Sequence, residues 1–172
     1  MQLQDRIRSI PDFPKKGIVF RDITTLLKDG QAFARAVDLM AEQARARNAD
    51  VIACVEARGF LFGSAVAKAL GIGVIPIRKP GKLPAQIRRK EYTLEYGTDV
   101  IEVHEDAITD GLRVFVVDDL LATGGTALAA AGLIEDLGGV VAGFSFLIDL
   151  AFLGGGNRLK GYDVHALIVY ES

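Results

Sequence analysis

The chain has 172 residues, half of them hydrophobic, and a formal net charge of -2. That length suits one domain with a sizeable core, and that charge gives no general attraction to nucleic acid or to an anionic membrane. A single cysteine, Cys54, excludes an intramolecular disulfide, and with two histidines a structural zinc site is not expected. No apolar run is long enough to span a bilayer, and the first six residues lack a signal peptide's apolar centre, so the expectation is a cytoplasmic protein.

In chain order, Leu3, Ile7 and Ile10 fall at helical spacing and predict a short helix over 2–9, ended by Pro11. Residues 12–17 read as irregular chain, and Ile18, Val19 and Phe20 as a short apolar segment before Arg21 and Asp22. Phe33, Val37, Met40, Ala41 and Ala44 share one face of a clear helix. Residues 51–55 predict a buried strand, 60–70 a helix and 73–77 the next strand, which implies parallel pairing with right-handed crossovers.

Residues 78–104 break the rhythm. Two prolines, a glycine and three charges open the segment, and 91–96 and 99–103 then alternate like two strands of a hairpin. A long excursion of this kind is usually functional or disordered. The rhythm resumes with a helix closed by Gly138 and Gly139, a strand run over 140–150, a glycine loop at 154–156 and a last strand over 164–170. The fold class is α/β, with a mostly parallel sheet covered by helices on both faces.

The richest stretch is 114–126. An apolar, β-branched run predicts a strand buried on both faces. Asp118 and Asp119 stand at its end, then Leu120, Leu121, Ala122, Thr123, Gly124, Gly125 and Thr126 lead into a helix. Ligands of parallel sheets bind beyond the carboxyl ends of strands. Backbone N–H groups of residues 122–126 can converge on a phosphate, helped by the helix N-terminus and the threonine hydroxyls. The carboxylates then suit sugar hydroxyls or a magnesium ion held directly or through water. The stretch is neither a Walker A loop nor a Gly-x-Gly-x-x-Gly fingerprint.

Residues 116–126 resemble the phosphoribosyl-pyrophosphate motif of the type I phosphoribosyltransferase family, and the paired leucines resemble its adenine-specific branch. Further blocks match in order: Phe13-Pro14, residues 17–23, Glu56-Ala57-Arg58-Gly59-Phe60, residues 78–84 and residues 92–97. The resemblance implies a phosphoribosyltransferase fold over 1–172, with a base-recognition hood at 1–25 and a mobile hairpin lid at 78–104. It implies adenine and phosphoribosyl pyrophosphate as substrates, AMP and pyrophosphate as products, Mg2+ as cofactor and a homodimer. No nucleic-acid or membrane partner is expected.

Roles follow from the same resemblance. Residues 122–126 (Ala122, Thr123, Gly124, Gly125, Thr126) would take the 5-phosphate, and Asp118 and Asp119 the ribose hydroxyls. Arg58, Arg78, Lys79 and Lys82 would bind pyrophosphate. Glu95 would handle a proton on the purine ring beside Tyr96. Adenine would stack on Phe20 with Leu120 opposite, its edge read by the backbone of Val19 and Arg21. Two departures stand out: residues 85–91 are more basic and bulky than the family's usual continuation, and Ala57 stands where many relatives carry serine. The alternatives are a sister enzyme for xanthine, hypoxanthine or guanine, and a phosphoribosyl-pyrophosphate-sensing regulator.

Overall fold

A computed structural model of the chain describes residues 1–94 and 96–172. The first residues depart from the predicted helix over 2–9. A 3-10 turn covers Leu3–Arg6, and β1 (Arg8–Ile10) then pairs antiparallel with β2 (Phe20–Asp22), with Ser9 opposite Arg21. Local periodicity carries no information about a partner ten residues away, and strand pairing overrides it. The pair is fastened by Arg8, whose Nε donates to Asp22 at 3.0 Å.

A short helix, α1 (Thr24–Lys28), leads into α2 (Gly30–Ala46), where Asp29 caps the N-terminus by accepting from the N–H groups of Gln31 and Ala32. There follow β3 (Val51–Val55), α3 (Arg58–Leu70), β4 (Gly73–Ile77), β5 (Ile87–Thr93) and β6 (Thr98–His104). The last third holds β7 (Arg113–Leu121), α4 (Gly125–Asp136), β8 (Val140–Leu150), the one-turn α5 (Gly155–Arg158) and β9 (Val164–Tyr170). The predicted strands and the three long helices are present, but the first hairpin strand, expected over 91–96, runs over Ile87–Thr93, and α3 begins two residues earlier than its periodicity suggests.

The central sheet has five parallel strands in the order β4-β3-β7-β8-β9. Leu26, Met40, Phe62 and Phe115 lie in the core on one side of it, and Ile101, Ile134, Phe144 and Phe146 in the core on the other. The chain runs outward from β3 in one direction and from β7 in the other, so the ends of these two neighbours form the topological switch point, where a crevice opens.

The β5–β6 hairpin forms its own antiparallel pair but is not detached. Ile101 and Val103 of β6 are buried in the second core, and Arg78 and Glu102 bridge the hairpin to the end of β4. The unusual basic stretch on β5 is spent on carboxylates. Arg88 pairs with Glu105 at 3.5 Å, Arg89 with Glu102 at 2.9 Å and Lys90 with Asp136 at 2.9 Å.

Helix α3 lies on β3 at Gly63, where a Cβ would stand 2.4 Å from Cys54 Cβ. Gly63→Ala therefore pushes the helix off the strand. We expect a loss of about 1–3 kcal/mol in denaturant unfolding.

Candidate active site

At the switch point lies a cavity of about 340 Å³, lined by Glu56, Ala57, Arg58, Lys79, the strand end Asp118–Leu121, and the loop Ala122–Thr126. Helices α3 and α4 both start at its edge. Neither has a side chain capping its first turn, in contrast to α2. Their free N–H groups and positive dipole ends flank one crevice, which suits a ligand with two anionic groups.

The loop before α4 turns through Gly124, whose φ of +84° favours glycine. Its back wall is the 154–156 glycine segment. A Cβ on Gly124 would stand 2.7 Å from the Gly155 carbonyl oxygen, and one on Gly155 would stand 2.4 Å from that of Ala122. Two backbones thus touch with no side chain between them, and the second holds the first in shape.

Asp118 and Asp119 sit at the end of β7. Asp119 is buried, 6% exposed, and Arg58 Nε lies 2.8 Å from its Oδ2. The Asp119 N–H donates to Asp118 Oδ1 at 2.9 Å. Gly59 leaves room for that carboxylate, since a Cβ there would be 2.6 Å from Oδ1. Burial, and then the negative charge of Asp119, push the Asp118 carboxyl well above the usual range. Cys54, on the adjacent strand, is inert: burial, helped by the charge of Asp118, pushes its thiol up to about 12.

A third carboxylate organises the cationic rim. The Glu56 side chain is 9% exposed and meets Lys82 Nζ at 2.7 Å and Arg78 Nε at 3.3 Å. Its carboxyl falls below the usual range because hydrogen bonds from Lys82 and the Lys79 N–H, with the charges of Lys82 and Arg78, outweigh its desolvation. Of the four predicted cations, Arg58 and Lys79 line the cavity, while Arg78 and Lys82 gather at Glu56. Lys79 Nζ pairs with Asp99 and lies 3.3 Å from the Tyr92 hydroxyl.

Next to this cavity is a smaller, mostly apolar slot of about 90 Å³. Its walls include Val19, Phe20, Arg21, Leu120, Ile148 and Leu150, and it shares Arg58, Asp119 and Leu120 with the larger cavity. Phe20 is braced edge-on by Phe13, with ring centroids 5.2 Å apart. Arg21 stacks over the Tyr170 ring at 3.8 Å and donates to Ser9 Oγ at 2.6 Å, tying the β1–β2 pair to β9.

Most of the predicted site residues therefore meet. Tyr96 is 82% exposed and away from both cavities, and Glu95 lies outside the described residues. Sequence reasoning overlooked Glu56, Tyr92, Gly155, Ile148 and Leu150. The Glu56 position, at a strand's end two residues before Arg58, carried a usable signal; the others are brought in by tertiary packing.

Because the Asp118 carboxyl is raised in the folded state, folding favours its protonated form, and that contribution is lost as pH rises from about 4, the unfolded value, through the folded one. Asn keeps an oxygen for the Asp119 N–H and has no charge to bury. Asp118→Asn should therefore stabilise the protein against urea at pH 7.5 and give no such gain near pH 4.

A family profile described as phosphoribosyl transferase domain matches residues 24–151. Adenine phosphoribosyltransferase of Clostridium perfringens is 57% identical over 171 residues, covering 99% of both chains. The crystal structure of adenine phosphoribosyltransferase from Thermoanaerobacter pseudethanolicus superposes with a TM-score of 0.94 at 54% identity, covering 98% of each chain. That of the Saccharomyces cerevisiae enzyme, complexed with an imino-altritol bisphosphate and adenine, superposes with a TM-score of 0.90 at 37% identity over 96% of each. With near full-length identity of this order and a shared fold, the chain belongs to the phosphoribosyltransferase family, in its adenine phosphoribosyltransferase branch.

Proposed function

We propose that the protein transfers the 5-phosphoribosyl group of phosphoribosyl pyrophosphate to adenine, giving AMP and pyrophosphate, a purine-salvage reaction. One observation carries this reading. The apolar slot opens into the cavity flanked by two uncapped helix N-termini, and Arg58, Asp119 and Leu120 belong to both. A flat base, a sugar and two anionic ends match that sequence of surfaces. That the yeast relative was crystallised with adenine supports adenine as the base.

Adenine N9 attacks the anomeric carbon as the bond to pyrophosphate oxygen breaks, and positive charge develops on the ribose ring. The loop 122–126 holds the 5-phosphate. Asp118 and Asp119 bind the ribose hydroxyls, and their negative character stabilises the ring as it becomes cationic. Arg58 places Nε on Asp119 and keeps its two Nη groups for a pyrophosphate oxygen. Lys79 adds charge at the same end, and Arg78 and Lys82 join it from the Glu56 cluster. Phe20 and Leu120 sandwich the base, and the backbone of Val19 and Arg21 reads its edge. The family resemblance gives Glu95 the purine proton, with Tyr96 next to it in the chain.

Among the described residues no three His, Cys, Asp or Glu side chains converge on one metal position. The donor set present, two adjacent aspartates, fits Mg2+ that enters with phosphoribosyl pyrophosphate and is held mainly by its oxygens, with Asp118 or Asp119 reaching it through water. Such an ion offsets charge on the leaving pyrophosphate. A homodimer and a cytoplasmic location complete the reading; no helix among the described residues is long and apolar enough to cross a membrane. Among the described residues the walls of the slot include no lysine to pair with an exocyclic oxygen, which favours adenine over an oxopurine.

The test is AMP formation from adenine and phosphoribosyl pyrophosphate. Asp119→Asn should lower kcat/KM by about a hundredfold or more with the fold intact by circular dichroism. Phe20→Ala should raise KM for adenine about tenfold and leave KM for phosphoribosyl pyrophosphate in place. Turnover of guanine but not adenine would reverse the assignment.

A further inference from the structure

Tyr92 lies on β5, outside both cavities, yet its hydroxyl meets three groups from three separate elements. Thr126 Oγ1, in the first turn of α4, is at 3.2 Å; Asp99 Oδ2, on β6, is at 3.2 Å; Lys79 Nζ, just past β4, is at 3.3 Å. Its ring lies against Gly125, where a Cβ would stand 3.3 Å from Tyr92 Cδ2.

The inventory of protons fixes the direction of these bonds. An ammonium group only donates and a carboxylate only accepts. The phenol therefore accepts from Lys79 and donates its single proton to Asp99. The Thr126 hydroxyl, the third partner, must then donate to the phenol. All of the phenol's hydrogen-bonding capacity is used, so the four groups form a closed set. Two of them, Lys79 and Thr126, line the large cavity.

We propose that Tyr92 is a positioning residue that holds Lys79 and Thr126 in fixed relation, so that the two anionic ends of phosphoribosyl pyrophosphate are gripped as one unit. This rests on the function proposed above. Lys79 is a flexible four-carbon cation, and its orientation comes from its partners. Asp99 supplies one, Tyr92 the other. Through Tyr92 the same hairpin reaches the phosphate loop, so the cation at one end and the Thr126 backbone N–H at the other share a single anchor. The base slot is not part of this set: among its walls only Arg58, Asp119 and Leu120 also face the large cavity.

Tyr92→Phe removes the hydroxyl and keeps the ring on Gly125. We expect KM for phosphoribosyl pyrophosphate to rise about tenfold, with KM for adenine unchanged and kcat within about twofold. Thr126→Val should raise the same KM, and the double variant should fall short of the product of the two effects, because both break one contact. A purely structural role would instead raise both KM values, lower kcat and lower Tm together, and that pattern overturns the proposal. So does a KM for phosphoribosyl pyrophosphate that is unchanged or lower in Tyr92→Phe, or effects that multiply fully in the double variant. Absence of AMP formation by the unsubstituted protein would overturn the functional reading itself, a result separable from any of these.

Discussion

Two carboxylates side by side at the end of one strand are an unfavourable arrangement, and the surroundings of Asp118 and Asp119 are built to tolerate it. Arg58, arriving from the neighbouring strand's end, pairs with Asp119. Asp118 is left without a cation of its own, so burial and its neighbour's charge raise its carboxyl. This solution needs β3 and β7 to be adjacent and parallel, which places the Arg58 loop and the acidic pair at the same end of the sheet. It also needs Gly59 to keep the start of α3 clear of the Asp118 oxygen. The sheet order, the helix start and the cavity are consequences of bringing this pair and its counter-ion together.

Anion binding is arranged around the same point by leaving helices unfinished. Where α2 spends Asp29 on its own first turn, α3 and α4 leave theirs unpaired by side chains. The Ala57 end of α3 forgoes about 1 kcal/mol of local stability and the Gly124 end of α4 roughly a few tenths. The loss is recovered only when an anion occupies the crevice, so ligand binding and the stability of these two helix starts are linked. The glycine contact between Gly124 and Gly155 keeps one of those ends in shape while empty, by packing backbone against backbone.

The elements legible in the sequence were those with a local cause. The β-branched run at 114–117, the apolar face of α2 and the glycine-rich turn at 124–125 each carry their structure in their own spacing. The acidic pair and Arg58 were legible as site residues because strand ends in parallel sheets face ligands. What stayed hidden depends on distant partners. Residues 8–10 look helical until β2 is known to lie beside them. Gly155 is one glycine in a loop until the Ala122 carbonyl is found against it. Tyr92 reads as an ordinary alternating strand residue, and nothing local announces that its hydroxyl will sit between Lys79 and Thr126. Ile148 and Leu150 read as core, and only the topology turns them toward the slot.

The same reasoning limits how far the hairpin can act as a lid. The sequence reads 78–104 as a long lid excursion with a hairpin mobile at its tip, and at the hairpin's base Ile101 and Val103 are buried in the second core and Glu102 is nearly as buried. Exposing one such aliphatic side chain costs about 1.5–3 kcal/mol, and lifting β6 would expose two while stranding the Glu102 carboxylate and its partners. The base of the hairpin is therefore part of the scaffold. It carries Tyr92 and Asp99 as fixed anchors against Thr126 and Lys79. Leu94 and Tyr96, in the chain between Thr93 and Thr98, are exposed and have no core to leave. The proposed anion grip therefore rests on a base that is packed into the core and stays in place when a ligand arrives.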